Sequence, residues 1–359
     1  MTGEGAGSGD DAPDGDAIAA DTAAFRRYLR AKRPVDDRAL DRRLVGLLRE
    51  RLTARAAEGN GPLRALEAGA GVGTMVARLI DWEVLPPGET RYVAVDRDAE
   101  ALAGVEPFLR EWAASREEPA SVDDADGDAL VVETDARTVA VEPVAADAVA
   151  HAAERPGEFD ALIGMALLDV LDLDGLDALL GALAPGGTYY FPITFDGGTR
   201  FRPAHPDDEA IERRYHRHMD GKPGGNSRAG GEALARLREA DGSTLLGVAG
   251  SDWVVRPVDD EGGRPDDDEG GRPGDGAGYP GDEAFFLRHI LDTVEAAVGE
   301  VIAVDGDAAG EVVVDGDAAG VSAADLDAWL ETRREQVDSG ELVYLTHQLD
   351  LLGRVDGDA

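Results

Sequence analysis

Two rhythms of apolar and polar positions alternate along the chain. One is the short, nearly continuous apolar run of a strand buried on both faces; the other is the three-to-four-residue spacing of a helix with one apolar side. Runs of the first kind close at Leu66-Glu67-Ala68 and recur at 91–96, 130–136, 159–165, 188–195, 251–255 and 342–348. Helical spacing falls between them, at 74–80, 100–115, 173–183, 232–240, 282–298 and 323–337. From Leu63 to Phe195 strands and helices alternate strictly, which implies parallel strands joined by helical crossovers that cover both faces of the sheet. The expected class is α/β with a doubly wound, mostly parallel sheet.

Ahead of the sheet, Phe25-Arg26-Arg27-Tyr28-Leu29-Arg30 opens a helix that Pro34 should end, since proline lacks the amide donor and crowds the turn before it. Asp36-Asp37 should then cap a second helix carrying Leu40, Leu44, Leu47, Leu48 and Leu52 on one side. These helices form an N-terminal cap over 21–60, preceding a main domain over 61–359. Residues 1–20 hold too little apolar surface to offset ordering entropy and are expected to be a disordered acidic tail. The rhythm breaks again at 196–231, a histidine- and arginine-rich stretch expected to be a lid-like insertion after the fifth strand. It fails a third time at 258–278, where Asp-Glu-Gly-Gly-Arg-Pro occurs twice and a disordered loop is expected. Val-Asp-Gly-Asp-Ala-Ala-Gly, at 304 and again at 314, lacks the twelfth-position acid and flanking helices of a calcium loop and reads as a low-complexity connection.

Chemistry concentrates where the first strand meets the first helix. Glu67-Ala68-Gly69-Ala70-Gly71-Val72-Gly73 sets glycines on alternate positions, so the backbone can turn tightly and a ligand can lie directly on it. Asp96, at the end of the second strand, can accept both hydroxyls of a ribose. A dinucleotide fingerprint would require glycine at position 74, where Thr74 stands.

Glu67-x-Gly69-x-Gly71-x-Gly73 resembles motif I of class I S-adenosylmethionine-dependent methyltransferases, and Ala166-Leu167-Leu168-Asp169 resembles their motif IV. The resemblance implies a seven-stranded sheet with the last strand antiparallel between the fifth and sixth. It implies S-adenosyl-L-methionine as cofactor, with Gly69, Gly71 and Gly73 under its methionine part and Glu67 in the same motif. Asp96 would hold the ribose, and Asp135 and the Ala136 amide the adenine. Asp169 would then stand beside the transferring methyl.

Charge narrows the partners. Asp and Glu number 74 against 35 Lys and Arg, a net charge of −39, with Lys32 and Lys222 the only lysines. A basic face for nucleic acid can hardly be assembled from this balance, and an anionic membrane surface is disfavoured likewise. Acids spread along the whole chain suit a haloarchaeal-type, salt-loving cytoplasm, where high ionic strength screens their repulsion. Basic residues from Arg26 to Arg43 read as a solvated face paired with local acids. Cysteine is absent, which excludes disulfides and thiolate chemistry, and no apolar run of about eighteen residues exists to span a bilayer. The opening residues show no basic-then-apolar signal order, so a cytoplasmic protein is expected.

His216 and His218 would share a face only on a strand, and no third ligand accompanies them, so no metal is expected. His216 is instead the expected general base of the insertion, with Asp169 as the second catalytic candidate. The expected function is methyl transfer from S-adenosylmethionine to a small-molecule oxygen or nitrogen nucleophile. A cofactor-binding regulatory module without catalysis is the alternative, and a nicotinamide-dependent oxidoreductase a weaker one.

Overall fold

A computed structural model describes residues 15–59, 61–125, 129–258, 278–307 and 321–357. Helices α1 (Gly15–Ala39) and α2 (Arg42–Glu58) come first. Asp41, rather than Asp36-Asp37, caps α2, its carboxylate accepting from the Leu44 amide at 2.8 Å. Asp36 and Asp37 lie inside α1 because Pro34 does not end it. An interior proline costs ~3 kcal/mol; tertiary ion pairs from Arg33 to Asp81 and from Arg78 to Asp37 hold the helix together on either side of it. Of the expected disordered tail, residues 15–20 belong to α1 and residues 1–14 lie outside the described residues.

The main domain continues β1 (Leu63–Ala68), α3 (Thr74–Asp81), β2 (Gly88–Asp96), α4 (Ala99–Leu102), α5 (Val105–Ser115), β3 (Ala120–Asp124), β4 (Leu130–Thr134) and β5 (Arg137–Ala145). After these come α6 (Ala148–Ala153), β6 (Phe159–Ile163), α7 (Leu176–Gly181), β7 (Leu183–Arg202), α8 (Asp208–Asp220), α9 (Ala229–Glu239), β8 (Ser243–Gly250) and β9 (Trp253–Val255). Helices α10 (Glu283–Asp307) and α11 (Ala323–Asp338) lead into β10 (Val343–Val355). The sheet is ordered β3-β4-β5-β2-β1-β6-β7-β10-β8, with β9 added beside β10. Strands β5, β2, β1, β6 and β7 are mutually parallel, and β10 runs antiparallel between β7 and β8, as the resemblance implies.

The sheet has ten strands among the described residues, not seven. The third parallel strand is β5, whose inward Val139 and Val141 are fully buried, whereas 130–134 is one arm of the antiparallel hairpin β3–β4. The edge strand is β8, and 253–255 forms the separate short β9. Strand β7 runs for 20 residues, taking in Pro185-Gly186-Gly187 and the first seven residues of the expected insertion. Pairing along β10 carries it past these breakers, since each backbone group in a long antiparallel ladder finds a partner that local propensity cannot foresee. Helix α10 likewise continues to Asp307, so the first acidic repeat begins in a helix; residues 308–320 and 259–277 lie outside the described residues.

Side chains alternate across the sheet into two cores. Ile163 and Tyr190 face α1, α2, α3, α5, α10 and α11, while Leu162, Tyr189 and Phe191 face α6, α7 and α9. Helices cover both faces, and the sheet is doubly wound. The buried carboxylate of Asp350 on β10 fixes the middle of β7, accepting from the Ile193 amide at 3.0 Å, the Tyr190 hydroxyl at 2.9 Å and the Asp41 amide at 2.9 Å. Ile193 is thereby held at φ 56°, a left-handed conformation that a β-branched residue adopts only when surroundings over-determine it. Among the described residues no helix is long and apolar enough to cross a membrane.

Candidate active site

The carboxyl ends of the parallel strands converge on the glycine loop. Gly69, Gly71 and Gly73 all have positive φ, at 74°, 54° and 80°, which explains why the loop needs glycine at alternate positions. The Gly69 and Ala70 amides donate to the Val95 carbonyl at 2.8 and 3.0 Å, pinning the loop to the end of β2. Asp96 completes the junction, one oxygen accepting the Gly71 amide at 2.8 Å and the other the Asp98 amide at 2.9 Å. A carboxylate offers about four lone-pair sites; one remains on each oxygen of this half-buried side chain, the donor set a vicinal diol requires.

Beneath the loop, Glu67 is buried and accepts from the Tyr92 hydroxyl at 2.8 Å. Burial pushes its carboxyl up to about 8, with the Tyr92 bond and the Arg78 charge opposing. Arg78 is itself fully buried, bonded through Nε to Asp37 and through Nη1 to the Met165 sulfur at 3.2 Å. It clamps α1 across the loop, so that a Cβ at Gly71 would meet Leu29 of α1 at 3.8 Å.

Beside the loop stands 164–169, the turn that follows β6. Ala166 has φ 49°, its amide held by the Pro192 carbonyl at 3.0 Å, and a Cβ on Gly69 would lie 3.1 Å from Leu167. This strained turn presents Asp169, whose Oδ1 is buried with no hydrogen-bond partner among the described residues. Burial raises Asp169 to about 6, with a hydrogen bond from its own amide and then the Lys32 charge opposing.

Asp135 and Ala136 are not part of the site. They form the turn from β4 to β5 at the amino edge of the sheet, where the Ala136 carbonyl accepts from Gly88 at 2.9 Å. The reason is the hairpin: an antiparallel 130–134 carries its end away from Asp96. The place beside Asp96 belongs to Ala145-Ala146-Asp147, with Ala145 in register with Asp96 and the Ala146 amide donating to the Asp96 carbonyl at 2.9 Å. The alternation of Val139 and Val141 was the available signal.

His216 and His218 lie on α8 and point apart, as helical geometry requires. His216 packs edge-on against Phe195 at 5.5 Å, its Nε2 is buried without a hydrogen-bond partner among the described residues, and desolvation lowers its basicity among the charges of Glu212, Asp220 and Arg200. The neighbour on α8 that feels Asp169 is Tyr215, raised to about 12 by burial and then by that carboxylate. Tyr28, on α1, is raised by burial and by the charges of Asp36, Tyr215 and Asp169. Lys32 Nζ bonds both oxygens of Asp36 at 2.9 and 2.8 Å and lies 5.0 Å over Trp253. The sequence reading set Lys32 in a solvated basic face paired with local acids; it does pair with the local Asp36, but the pair is buried and not solvated. The remaining basic residues with described partners are paired, Arg27 with Asp282, Arg30 with Glu111, Arg33 with Asp81 and Arg38 with Glu283. Among the described residues no group of three or more His, Asp or Glu side chains is placed to hold a metal ion.

No family model matches the chain, and no curated protein matches it. Solved structures similar to it include a candidate type II methyltransferase from Anaeromyxobacter dehalogenans, at 15% identity over 89% of this chain and 97% of that one, with a TM-score of 0.43. Others are a SAM-dependent methyltransferase from Thiobacillus denitrificans in complex with S-adenosyl-L-homocysteine (13% identity, 88% and 92% covered, TM-score 0.36) and one from Geobacter sulfurreducens, also with S-adenosyl-L-homocysteine (12%, 85% and 90%, 0.35). These similarities are too distant to assign a family.

Proposed function

We propose that this protein is an S-adenosylmethionine-dependent methyltransferase acting on a small-molecule oxygen or nitrogen nucleophile. The junction of Gly71 with Asp96 carries the reading, for it offers bare backbone and a half-satisfied carboxylate at the carboxyl edge of a doubly wound sheet. Asp96 would hold the ribose diol, the Gly69–Gly73 backbone the methionine part, and Ala145-Ala146-Asp147 the adenine edge. Bound there, the cofactor supplies an electrophilic methyl group on a sulfonium.

The chain's own residues do the rest. Helices α1 and α8 exclude water, and placement alone is worth ~7–11 kcal/mol when reacting groups are held in line. The base role expected of His216 passes to Asp169, whose unpartnered Oδ1 can take a proton from the acceptor and whose pKa of about 6 leaves it ionised at neutral pH.

Calorimetry in molar KCl with S-adenosylhomocysteine and with NADH tests the reading. S-adenosylhomocysteine should bind, and Asp96→Ala should weaken it at least tenfold, since each hydrogen bond to a charged group is worth ~1.5–3 kcal/mol. Binding of NADH alone would replace the methyltransferase reading with an oxidoreductase.

A further inference from the structure

We propose that Gly224 and Asn226, in the connection from α8 to α9, are positioning residues that hold the backbone of Asp169 in place for proton transfer. The role rests on the methyltransferase reading with Asp169 as base; the clamp itself rests on contacts between two stretches of backbone.

The connection, residues 221–228, lies against the turn that carries Asp169. The Asn226 amide donates to the Asp169 carbonyl at 3.0 Å. Gly224, at φ 77°, faces the residues that follow: a Cβ there would stand 2.9 Å from the Asp172 nitrogen, 3.0 Å from the Val170 carbonyl oxygen and 3.3 Å from the Leu171 carbonyl carbon. Backbone thus rests directly on backbone, an approach and a conformation that glycine allows at no steric cost. Gly225 is confined in the same way, since a Cβ there would collide with the Met219 carbonyl.

The connection is itself braced. Ser227 ties it back to α8, its amide and hydroxyl donating to the Asp220 carboxylate at 2.7 and 3.2 Å. Asn226 ties it forward to α9, its Oδ1 accepting the Arg228 amide at 2.8 Å and its Nδ2 donating to Glu232 at 2.7 Å. From α9, Arg236 reaches Asp174 at 2.7 Å, just past the turn. On the opposite side the Ala166 amide holds the turn to the Pro192 carbonyl of β7 at 3.0 Å. Asp169 is gripped from both directions, while its Oδ1 stays without a hydrogen-bond partner among the described residues.

A connection that served stability alone would bury apolar side chains. Residues 221–226 read Gly-Lys-Pro-Gly-Gly-Asn, and none of them is buried. Glycines raise the entropy lost on folding, so what Gly224 secures is closeness to the turn and not stability. Closeness matters to a base, because a displacement of about 1 Å can cost about a hundredfold in rate. The insertion thereby serves the site through its backbone, whereas the His216 ring packs against Phe195.

Gly224→Ala and Asn226→Ala, made in the full chain and studied in molar KCl, test the clamp. Infrared difference spectra against Asp169→Asn follow the Asp169 carboxyl, which titrates at about 6 in the wild type. Both variants should lower that midpoint by roughly one pH unit or more, since a loosened turn admits water. Calorimetry should find S-adenosylhomocysteine affinity changed by less than about twofold. Transfer of labelled methyl from S-adenosylmethionine into a metabolite extract should fall about ten- to a hundredfold, with no further fall when either change is combined with Asp169→Asn. Asn226→Asp together with Glu232→Gln exchanges donor and acceptor in their bond and should restore both midpoint and rate. Asn226→Ala stands independently should Gly224→Ala fail to fold. An unmoved midpoint in a folded variant, or an added loss of rate in the Asp169→Asn background, would overturn the positioning role and leave the methyltransferase reading intact. A shifted midpoint in a protein that does not bind S-adenosylhomocysteine would overturn the methyltransferase reading and with it the role in proton transfer.

Discussion

Alanine at Gly71 separates the ligand-binding role of the glycine loop from its structural one. Gly71 has φ 54°, and an added Cβ would sit 3.8 Å from Leu29 Cδ1, an ordinary contact without a clash. The folded state therefore loses little beyond the left-handed strain of an L-residue, roughly 1–2 kcal/mol. With an unfolding entropy of ~2.1 cal/mol/K per residue, that is a fall in Tm of about 1–3 °C for a chain of this length. Relief of the strain turns the backbone away from Asp96, however, and loosens the 2.8 Å bond from the Gly71 amide. With Asp96 displaced, a ligand hydrogen bond to its carboxylate, worth ~1.5–3 kcal/mol, is weakened or lost, so S-adenosylhomocysteine affinity should drop about ten- to a hundredfold. Gly88→Ala is the matched control, with φ 105° and no atom within 4 Å of the new Cβ, at the opposite edge of the sheet. It should cost comparable stability and no affinity. Thermal melts and calorimetry on both variants decide the matter. Undiminished affinity in Gly71→Ala, or an equal loss in Gly88→Ala, would refute the assignment of the loop to the ligand.

Glu67 has a folded pKa of about 8, above its ordinary value of 4.5, so the stability it contributes is present below pH 4.5 and is lost as pH rises towards 8. Glu67→Gln should thus melt with the wild type at pH 5 and above it at pH 8.5; identical curves at both pH values would show that the carboxyl is not desolvated. Turnover should rise as Asp169 ionises through about pH 6, where burial holds its carboxyl up and its own amide and the Lys32 charge draw it down. Asp169→Asn should flatten that limb and lower kcat by roughly 10²- to 10⁴-fold, whereas His216→Ala should move neither, as methyl-transfer assays across pH 5–8 would reveal. With a net charge of −39, Tm should climb steeply between dilute and molar KCl as the Debye length falls from roughly 10 Å to 3 Å, and a flat profile would count against a halophilic design.

The sequence by itself determined the features that depend on neighbouring residues. The alternate glycines announced a backbone with positive φ, and Asp96 at the end of an apolar run announced a carboxylate at the strand's edge, because both follow from local stereochemistry and a period of two. The alternation of strands and helices was legible for the same reason, and the resemblance implied the antiparallel last strand; Arg27, Arg30, Arg33 and Arg38, expected to pair with local acids, pair instead with acids far along the chain. Tertiary contacts decided the rest. Whether 130–134 ran parallel or turned back as a hairpin depended on which strand it paired with, and that choice put Ala145-Ala146-Asp147, not Asp135-Ala136, beside Asp96. Pro34 stayed inside a helix because Arg78 and Asp81, more than forty residues away, hold α1 from outside. On α8, adjacent positions are separated by about 100° of helical rotation; the direction in which that helix packed turned Tyr215 towards Asp169 and His216 towards Phe195. No periodicity in one segment encodes what a second segment places opposite it, so the surroundings of Asp169 were set only once the chain had folded.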